Sequence, residues 1–571
     1  MGAMKMKITN VKTRLVLAVV AFALLAVTAH GSTPGIQGPA FNLTAQQAFI
    51  TQPDGQAVYS WGYGCVSGGA QAATVGGVSF PNFKCPTMQV PGPTLVVTEG
   101  QTVTVRLTNN LPAPAGNTSI LFPGFQVTAH GVAPNATSPC AVAPAGLLTT
   151  EVKPGCTVQY TFVASTPGTR AYYSGTQGDL QVEMGLYGAI IVLPSSVPGS
   201  CVTPAIRTNL YGVTDYATAN GIQGAPERDF RLSQSAYDNP NTCYDREYLF
   251  QFSEMDPNIH RVAEEQVSLK GNCTAGAVGC SLNVPTEPYH PAYFMINGRS
   301  MPDDMDPNYA TEYPHQPYNG NPHMHPGELV LLRIIGQGRW QHPFHEHGNH
   351  VRILARDGNL LLSQSNSNLA GPLLFTTTTT PGQAMDGIFY WTAKGLNWDA
   401  YAHEAKSSSD PNANLSCIPD ANGYNTGSAA QGQINYYEWC QDHNKPLQVN
   451  PFGDVASGGP ATLPDPNLFT NGPWYSGSPY LGPDATIRAT GCFTGGQPNG
   501  ATTTYPSGQC GTTGSTPPSG TIANPPSSEA GFAFMWHSHN EREITTNNIF
   551  PGGMLMMMLV DSREFVIDES L

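Results

Sequence analysis

The sequence predicts an all-β protein: two β-sandwich domains built on one pattern, the second interrupted by a long loop-rich insertion. Period-two alternation, abundant turn-formers and a repeated order of landmarks support this fold class. Val103, Val105 and Leu107 alternate with Thr102, Thr104 and Arg106, and Val158, Tyr160 and Phe162 alternate with Thr157, Gln159 and Thr161. Alternation of this kind puts one face of a strand in a core and the other in water. The 571 residues include 61 Gly and 50 Pro, while only 11% are charged. That composition suits many short strands joined by turns.

The repeat sets the domain organisation. Gly100-Gln101-Thr102-Val103 leading to Arg106-Leu107 is matched by Gly327-Glu328-Leu329-Val330 leading to Arg333-Ile334. Lys153-Pro154-Gly155 is matched by Thr380-Pro381-Gly382. Both second members lie 227 residues after the first (327 − 100 and 382 − 155). One offset at two separated places indicates a duplicated unit. Each copy is expected to end in an apolar strand, Gly185 to Val192 in the first and Gly553 to Val560 in the second. The expected division is a first domain over 40–198, a connecting region over 199–290 and a second domain over 291–571. The second domain carries an insertion over 393–529. Rich in Gly, Pro, Asn, Ser and Thr, the insertion cannot easily bury a core of its own and is expected as disulfide-pinned loop.

Residues 1–29 read as an export signal. Lys5, Lys7, Lys12 and Arg14 precede an apolar run from Leu15 to Val27, and Val27 and Ala29 supply the small residues of a cleavage site. The run falls short of the roughly 20 residues a membrane span needs. With no second apolar run, the mature chain is expected without a membrane span: secreted, periplasmic or on the cell surface. Twelve cysteines, an even number in an exported chain, favour disulfides. The sequence-local couples are Cys65 and Cys85, Cys140 and Cys156, Cys273 and Cys280, Cys417 and Cys440, and Cys492 and Cys510, with Cys201 and Cys243 completing the set. A net charge of −15 with no Lys/Arg block argues against nucleic acid as a partner.

The histidines point to a metal. His342-Pro343-Phe344-His345-Glu346-His347-Gly348 places three imidazoles within six residues, and His537-Ser538-His539 repeats the spacing of His345 and His347. On an extended strand, residues two apart share a face. Neutral imidazole suits copper, zinc and iron.

These residues resemble those of the multicopper oxidases, a family of cupredoxin domains that includes laccases. Val90 to Leu95, then Glu99-Gly100 and Thr108 to Pro112, look like the family's opening strands. His342 to Gly348 looks like its H-P-x-H-x-H-G motif, Trp536 to His539 sits where the family has H-C-H, and Gly553-Met554 resembles its closing G-M. The resemblance implies two cupredoxin-like Greek-key sandwiches and copper as cofactor. It assigns His342 to type 1 copper, His345 to type 2, and His347, His537 and His539 to type 3. In the first domain, Thr128-Ala129-His130-Gly131 keeps only His130 of H-W-H-G, and Tyr173-Ser174-Gly175 keeps neither histidine of H-S-H. Two-domain members build the cluster between subunits of a trimer, so the resemblance implies a homotrimer or another homo-oligomer.

The departures carry consequences. Ser538 stands where the type 1 thiolate belongs, and a hydroxyl cannot create blue-copper electronics. Glu543 stands at the second type 1 histidine, and Met554 lies 15 residues beyond His539 where the motif puts its methionine about nine beyond. Type 1 copper is therefore expected to be absent. Tyr173 is a candidate phenolate ligand or a filler of a vacated pocket. His323-Met324-His325 is a candidate peripheral copper site or a polar loop, and Met554, Met556 and Met558 read as alternating core residues. Three functions follow: a copper-binding oxidoreductase with an altered centre, a non-catalytic protein using the scaffold for binding, copper storage or assembly, and a zinc-assisted hydrolase with Glu346 as base.

Overall fold

The computed structural model describes residues 33–66, 83–201, 230–271, 273–325, 328–391, 477–481, 530–561 and 567. The expected export signal, the couples Cys417/Cys440 and Cys492/Cys510, and nearly all of the insertion lie outside the described residues.

The first half holds β1 (Ile36–Gln37), β2 (Ala40–Thr51), β3 (Ala57–Cys65), β4 (Leu95–Thr98), β5 (Thr102–Asn109), β6 (Thr128–Val132), β7 (Thr157–Val163), β8 (Gly168–Tyr173) and β9 (Tyr187–Leu193). They form two sheets, ordered β3-β2-β5-β7-β6 and β1-β4-β9-β8. The expected alternation is realised: Val103, Val105, Leu107, Val158 and Tyr160 are fully buried between the layers.

The second half holds β10 (Arg246–Met255), β11 (Tyr293–Ile296), β12 (His323–Met324), β13 (Leu329–Gly336), β14 (His342–Glu346), β15 (Val351–Arg356), β16 (Asn359–Leu360) and β17 (Leu373–Leu374). It continues with β18 (Thr376–Thr379), β19 (Ala384–Tyr390), β20 (Gly477–Leu481), β21 (Ala530–Ser538) and β22 (Leu555–Asp561). One sheet runs β11-β10-β13-β19-β15-β16 with β17 beside β15, and the other runs β12-β22-β21-β14-β18 with β20 beside β21. Consecutive strands such as β13 and β14 fall in different sheets, so the chain crosses repeatedly between layers in the manner of a Greek key. Phe344, Trp536, Met554, Met556 and Met558 fill the space between them, which makes the methionines core residues.

Two segments differ from expectation. Residues 199–290 do more than connect, because β10 lies inside the second sandwich, parallel to β13. All ten of its residues are buried, so no alternation marks it in the sequence. Its polar members are paired: Glu247 meets Arg333 at 2.8 Å. After β10, Asp256 accepts from Asn258 N at 2.9 Å and caps a helix over Pro257–Lys270. Ile259 and Ala263 on that helix pack into the first half's core. The insertion supplies β20, which covers the part of the β21 edge that β14 does not reach.

The halves meet along a seam in which buried apolar residues, Ala171 and Ala189 against Leu249, Ile335 and Ala384, are joined by hydrogen bonds. Thr169 donates to Asp386 at 2.6 Å, and Gln337 donates to the Gly188 carbonyl at 3.0 Å. Four disulfides pin the described loops: Cys65–Cys85, Cys140–Cys156, Cys201–Cys243 and Cys273–Cys280. Among the described residues, no helix is long and apolar enough to cross a membrane.

Candidate metal centre

The histidine pattern becomes a cluster through strand register. β14 and β21 are antiparallel neighbours in which His345 stands directly opposite His537. Directly opposed residues share a sheet face, and so do residues two apart on one strand. His345 and His347 therefore meet His537, and the backbone bond from His539 N to the Pro343 carbonyl (2.8 Å) carries His539 to the same place. Ring centroids lie 4.7 Å apart for His345 and His539, 5.0 Å for His345 and His347, and 5.1 Å for His347 and His537.

Ligand atoms of His345, His347 and His537 all lie within 4.8 Å of one another. Nε2 of His537 stands 3.2 Å from Nε2 of His347. The outer nitrogens are tied back: Nδ1 of His345 to the Thr376 hydroxyl at 2.6 Å, and Nδ1 of His537 to the Ser538 carbonyl at 2.7 Å. Trp536 donates to the His347 carbonyl at 2.9 Å. Ligands oriented in this way from behind present a fixed nitrogen to a metal.

Charge favours the neutral rings that a metal needs. Burial, followed by the adjacent imidazoles of His347, His539 and His537, lowers His345 to about 3. Burial also lowers His537. The donor set of three close, buried imidazoles fits a copper ion.

The other face of the same strands holds a different arrangement. His342, Phe344, Glu346 and Ser538 point between the sheets, because each alternates with a cluster histidine. His342 is fully buried and both ring nitrogens are engaged: Nδ1 with Glu543 at 2.9 Å and Nε2 with Glu254 at 2.9 Å. Burial opposes protonation of the ring, but the two carboxylates outweigh it and raise His342 to about 9. Ser538 donates to the same Glu543 oxygen at 2.5 Å. Glu254 also accepts from Arg339 N at 2.7 Å and Trp340 N at 2.9 Å. The positions that resemblance gives to type 1 copper thus hold a charged, hydrogen-bonded clamp, in which neither nitrogen of His342 is left to coordinate.

The remaining candidates are dispersed. His130 is exposed on the edge strand β6, opposite Gln159, and the metal-capable group contains no residue of the first half. Tyr173 lies against Gly382 in the cleft between the halves. His323 meets Asp561 at 2.7 Å, and His325 meets the Asp561 carbonyl at 3.0 Å, which ties β12 to the end of β22. The ring of His350 packs on Phe375. Glu346, opposite Trp536 in the core layer, accepts from Thr377 at 2.8 Å and is raised to about 8 by burial. Sequence alone does not reveal Glu254, because it lies on a strand without alternation, 88 residues from its partner. Glu543 was detectable only as a missing histidine.

The family model for the multicopper oxidases matches residues 85–197. Over those residues the chain is similar to the multicopper oxidases. Its curated relatives include L-ascorbate oxidases from Brassica rapa subsp. pekinensis, 36% identical over 104 residues (18% of this chain, 16% of that protein), and from Cucurbita pepo var. melopepo, 36% identical over 106 residues (19% and 17%). The chain spans about a sixth of the length of those relatives. Among solved structures it is similar to the multicopper oxidase mgLAC, with 14% identity, a TM-score of 0.40, and coverage of 93% of this chain and 87% of that one. It is also similar to the blue copper oxidase from Nitrosomonas europaea, with 15% identity, a TM-score of 0.37, and coverage of 91% and 85%.

Proposed function

We propose that this chain is an exported copper-binding oxidoreductase of the multicopper oxidase type whose centre lacks a mononuclear blue copper. The observation that supports it is the convergence of His345, His347 and His537, with His539 at the rim. Copper held there would supply one-electron redox chemistry. The chain's own residues do the rest. Thr376 and the Ser538 carbonyl fix which nitrogens face inward, and burial keeps His345 and His537 unprotonated. His342 serves as an imidazolium bolt rather than a ligand. His130 would join the cluster only from a second copy of the chain. Export is supported by the signal-like first residues and the four disulfides. The division into two cupredoxin-like units with an inserted segment belongs to the same proposal.

The clamp also favours a second reading, in which the chain binds or stores copper without turnover, because no second cluster of metal-ligating residues among the described residues replaces the one that Ser538 and Glu543 displace. The zinc-hydrolase alternative loses its base, since Glu346 lies on the opposite face of β14 from the cluster. The deciding experiment is copper analysis of the purified full chain with its optical and paramagnetic spectra. About one copper or more per chain, bound by imidazoles and without an intense blue band, supports the proposal. A protein that takes up no copper on loading overturns it.

A further inference from the structure

A cleft of about 330 Å³ lies between the two halves, away from the histidine cluster. Its walls are mainly apolar, with Leu121, Leu148 and Val182 from the first half and Pro381 from the second. The charged groups at its rim are already paired. Asp179 accepts from Thr286 at 2.9 Å, and Arg339 meets Glu287 at 2.6 Å and the Thr286 carbonyl at 2.8 Å. A charged ligand would have to break these pairs.

One polar group in the cleft stands apart. The hydroxyls of Tyr63, Tyr160, Tyr172 and Tyr187 each donate to a carbonyl or hydroxyl within the fold at 2.6 to 2.8 Å. Tyr173, half-buried and lining the cleft, has no hydroxyl partner among the described residues. Opposite it is Gly382 at φ +78°, where a side chain would crowd the phenol. Gly338, at φ +64°, forms another part of the wall, and any side chain there would collide with the Glu254 carboxylate. At Gly338 and Gly382 the cavity is thus walled by backbone, and the Gly338 backbone lies directly against the Glu254 carboxylate.

We propose that this cleft binds a small neutral single-ring aromatic compound that accepts a hydrogen bond from Tyr173. The volume lies at the lower end of ligand pockets, which run from ~300 to ~1,000 Å³, and so selects one ring with short substituents. Apolar walls favour the ring, and the unpartnered phenol favours an ether or ketone oxygen.

The test is calorimetry and saturation-transfer NMR on the full chain with acetophenone, with toluene, benzoate and benzylamine for comparison, before and after copper removal. Acetophenone should bind most tightly and equally in both forms, so a failure of the copper proposal would leave this result untouched. Tyr173→Phe should weaken acetophenone roughly three- to tenfold, the value of one hydrogen bond, and leave toluene unchanged. Gly178→Trp fills the cleft where a new side chain meets nothing within 4 Å, and should abolish binding with the melting transition retained. Binding that survives Gly178→Trp, or no preference of acetophenone over benzoate and benzylamine, overturns the proposal.

Discussion

Nδ1 of His342 lies 2.9 Å from Glu543, a carboxylate 201 residues later in the chain, and both side chains are fully buried. Glu254 holds the other face of the ring, so β10 of one sheet, β14 of the other and the loop after β21 are joined at one imidazole. Ser538, bonded to the same Glu543 oxygen, lies between His537 and His539. The bolt in the core and the face that carries the histidine cluster are therefore built on one stretch of chain.

Breaking the clamp from one side should be costly. Glu543→Ala leaves the buried His342 ring with Glu254 as its one carboxylate partner and strands Nδ1 and the Ser538 hydroxyl, and about 3–5 kcal/mol of stability should be lost in urea unfolding. His342→Leu combined with Glu543→Met should cost less than the sum of the two single changes, because their shared contact is lost only once, while Glu254 keeps its bonds from Arg339 N and Trp340 N.

The clamp also fixes a pH dependence. Its folded value of about 9 lies above the ordinary 6.5, so the imidazolium's stabilisation is fully present below pH 6.5 and is lost as pH rises through about 9. His260 has the opposite sign. Burial lowers it to about 4, so its contribution is present above pH 6.5 and is lost as pH falls through about 4. Unfolding midpoints across the pH range should fall on both sides, and His342→Gln should flatten the alkaline limb alone.

Copper binding should follow the cluster and not the clamp. His345→Ala and His537→Ala should each remove most of the copper, measured as metal per chain after dialysis. His342→Ala should lower the melting temperature while the folded fraction keeps its copper. A loss of copper from His342→Ala as complete as that from His345→Ala would place His342 among the ligands.

Restoring the thiolate alone should not restore a blue centre. Ser538→Cys puts sulfur beside a His342 ring whose nitrogens both face carboxylates, and Glu543 still occupies the second histidine position. The optical spectrum of copper-loaded Ser538→Cys should lack the intense blue band.

Among the disulfides, loop length predicts the ranking. Cys201–Cys243 closes 42 residues and Cys273–Cys280 only seven. In the chain-entropy account their removal costs roughly 4 and roughly 2.4 kcal/mol. Paired Cys→Ser variants compared in guanidinium should show that order.

The sequence by itself determined the all-β class and carried the repeated landmarks, the neighbouring cysteines of which four couples form among the described residues, and the histidine pairs two apart. Each of these is local: alternation, a fixed offset, neighbouring cysteines, and histidines two apart on a strand. Tertiary structure decided what depends on register and on layers facing each other. The pairing of His345 with His537 gathers the cluster on one sheet face. The opposite face aims His342 at Glu254, from a strand that is buried on both sides and so leaves no periodic trace. The same packing leaves His130 exposed on an edge strand and Tyr173 in the cleft. Which side of a strand a residue occupies can be read from spacing, but what stands across from it is fixed only when the sheets close.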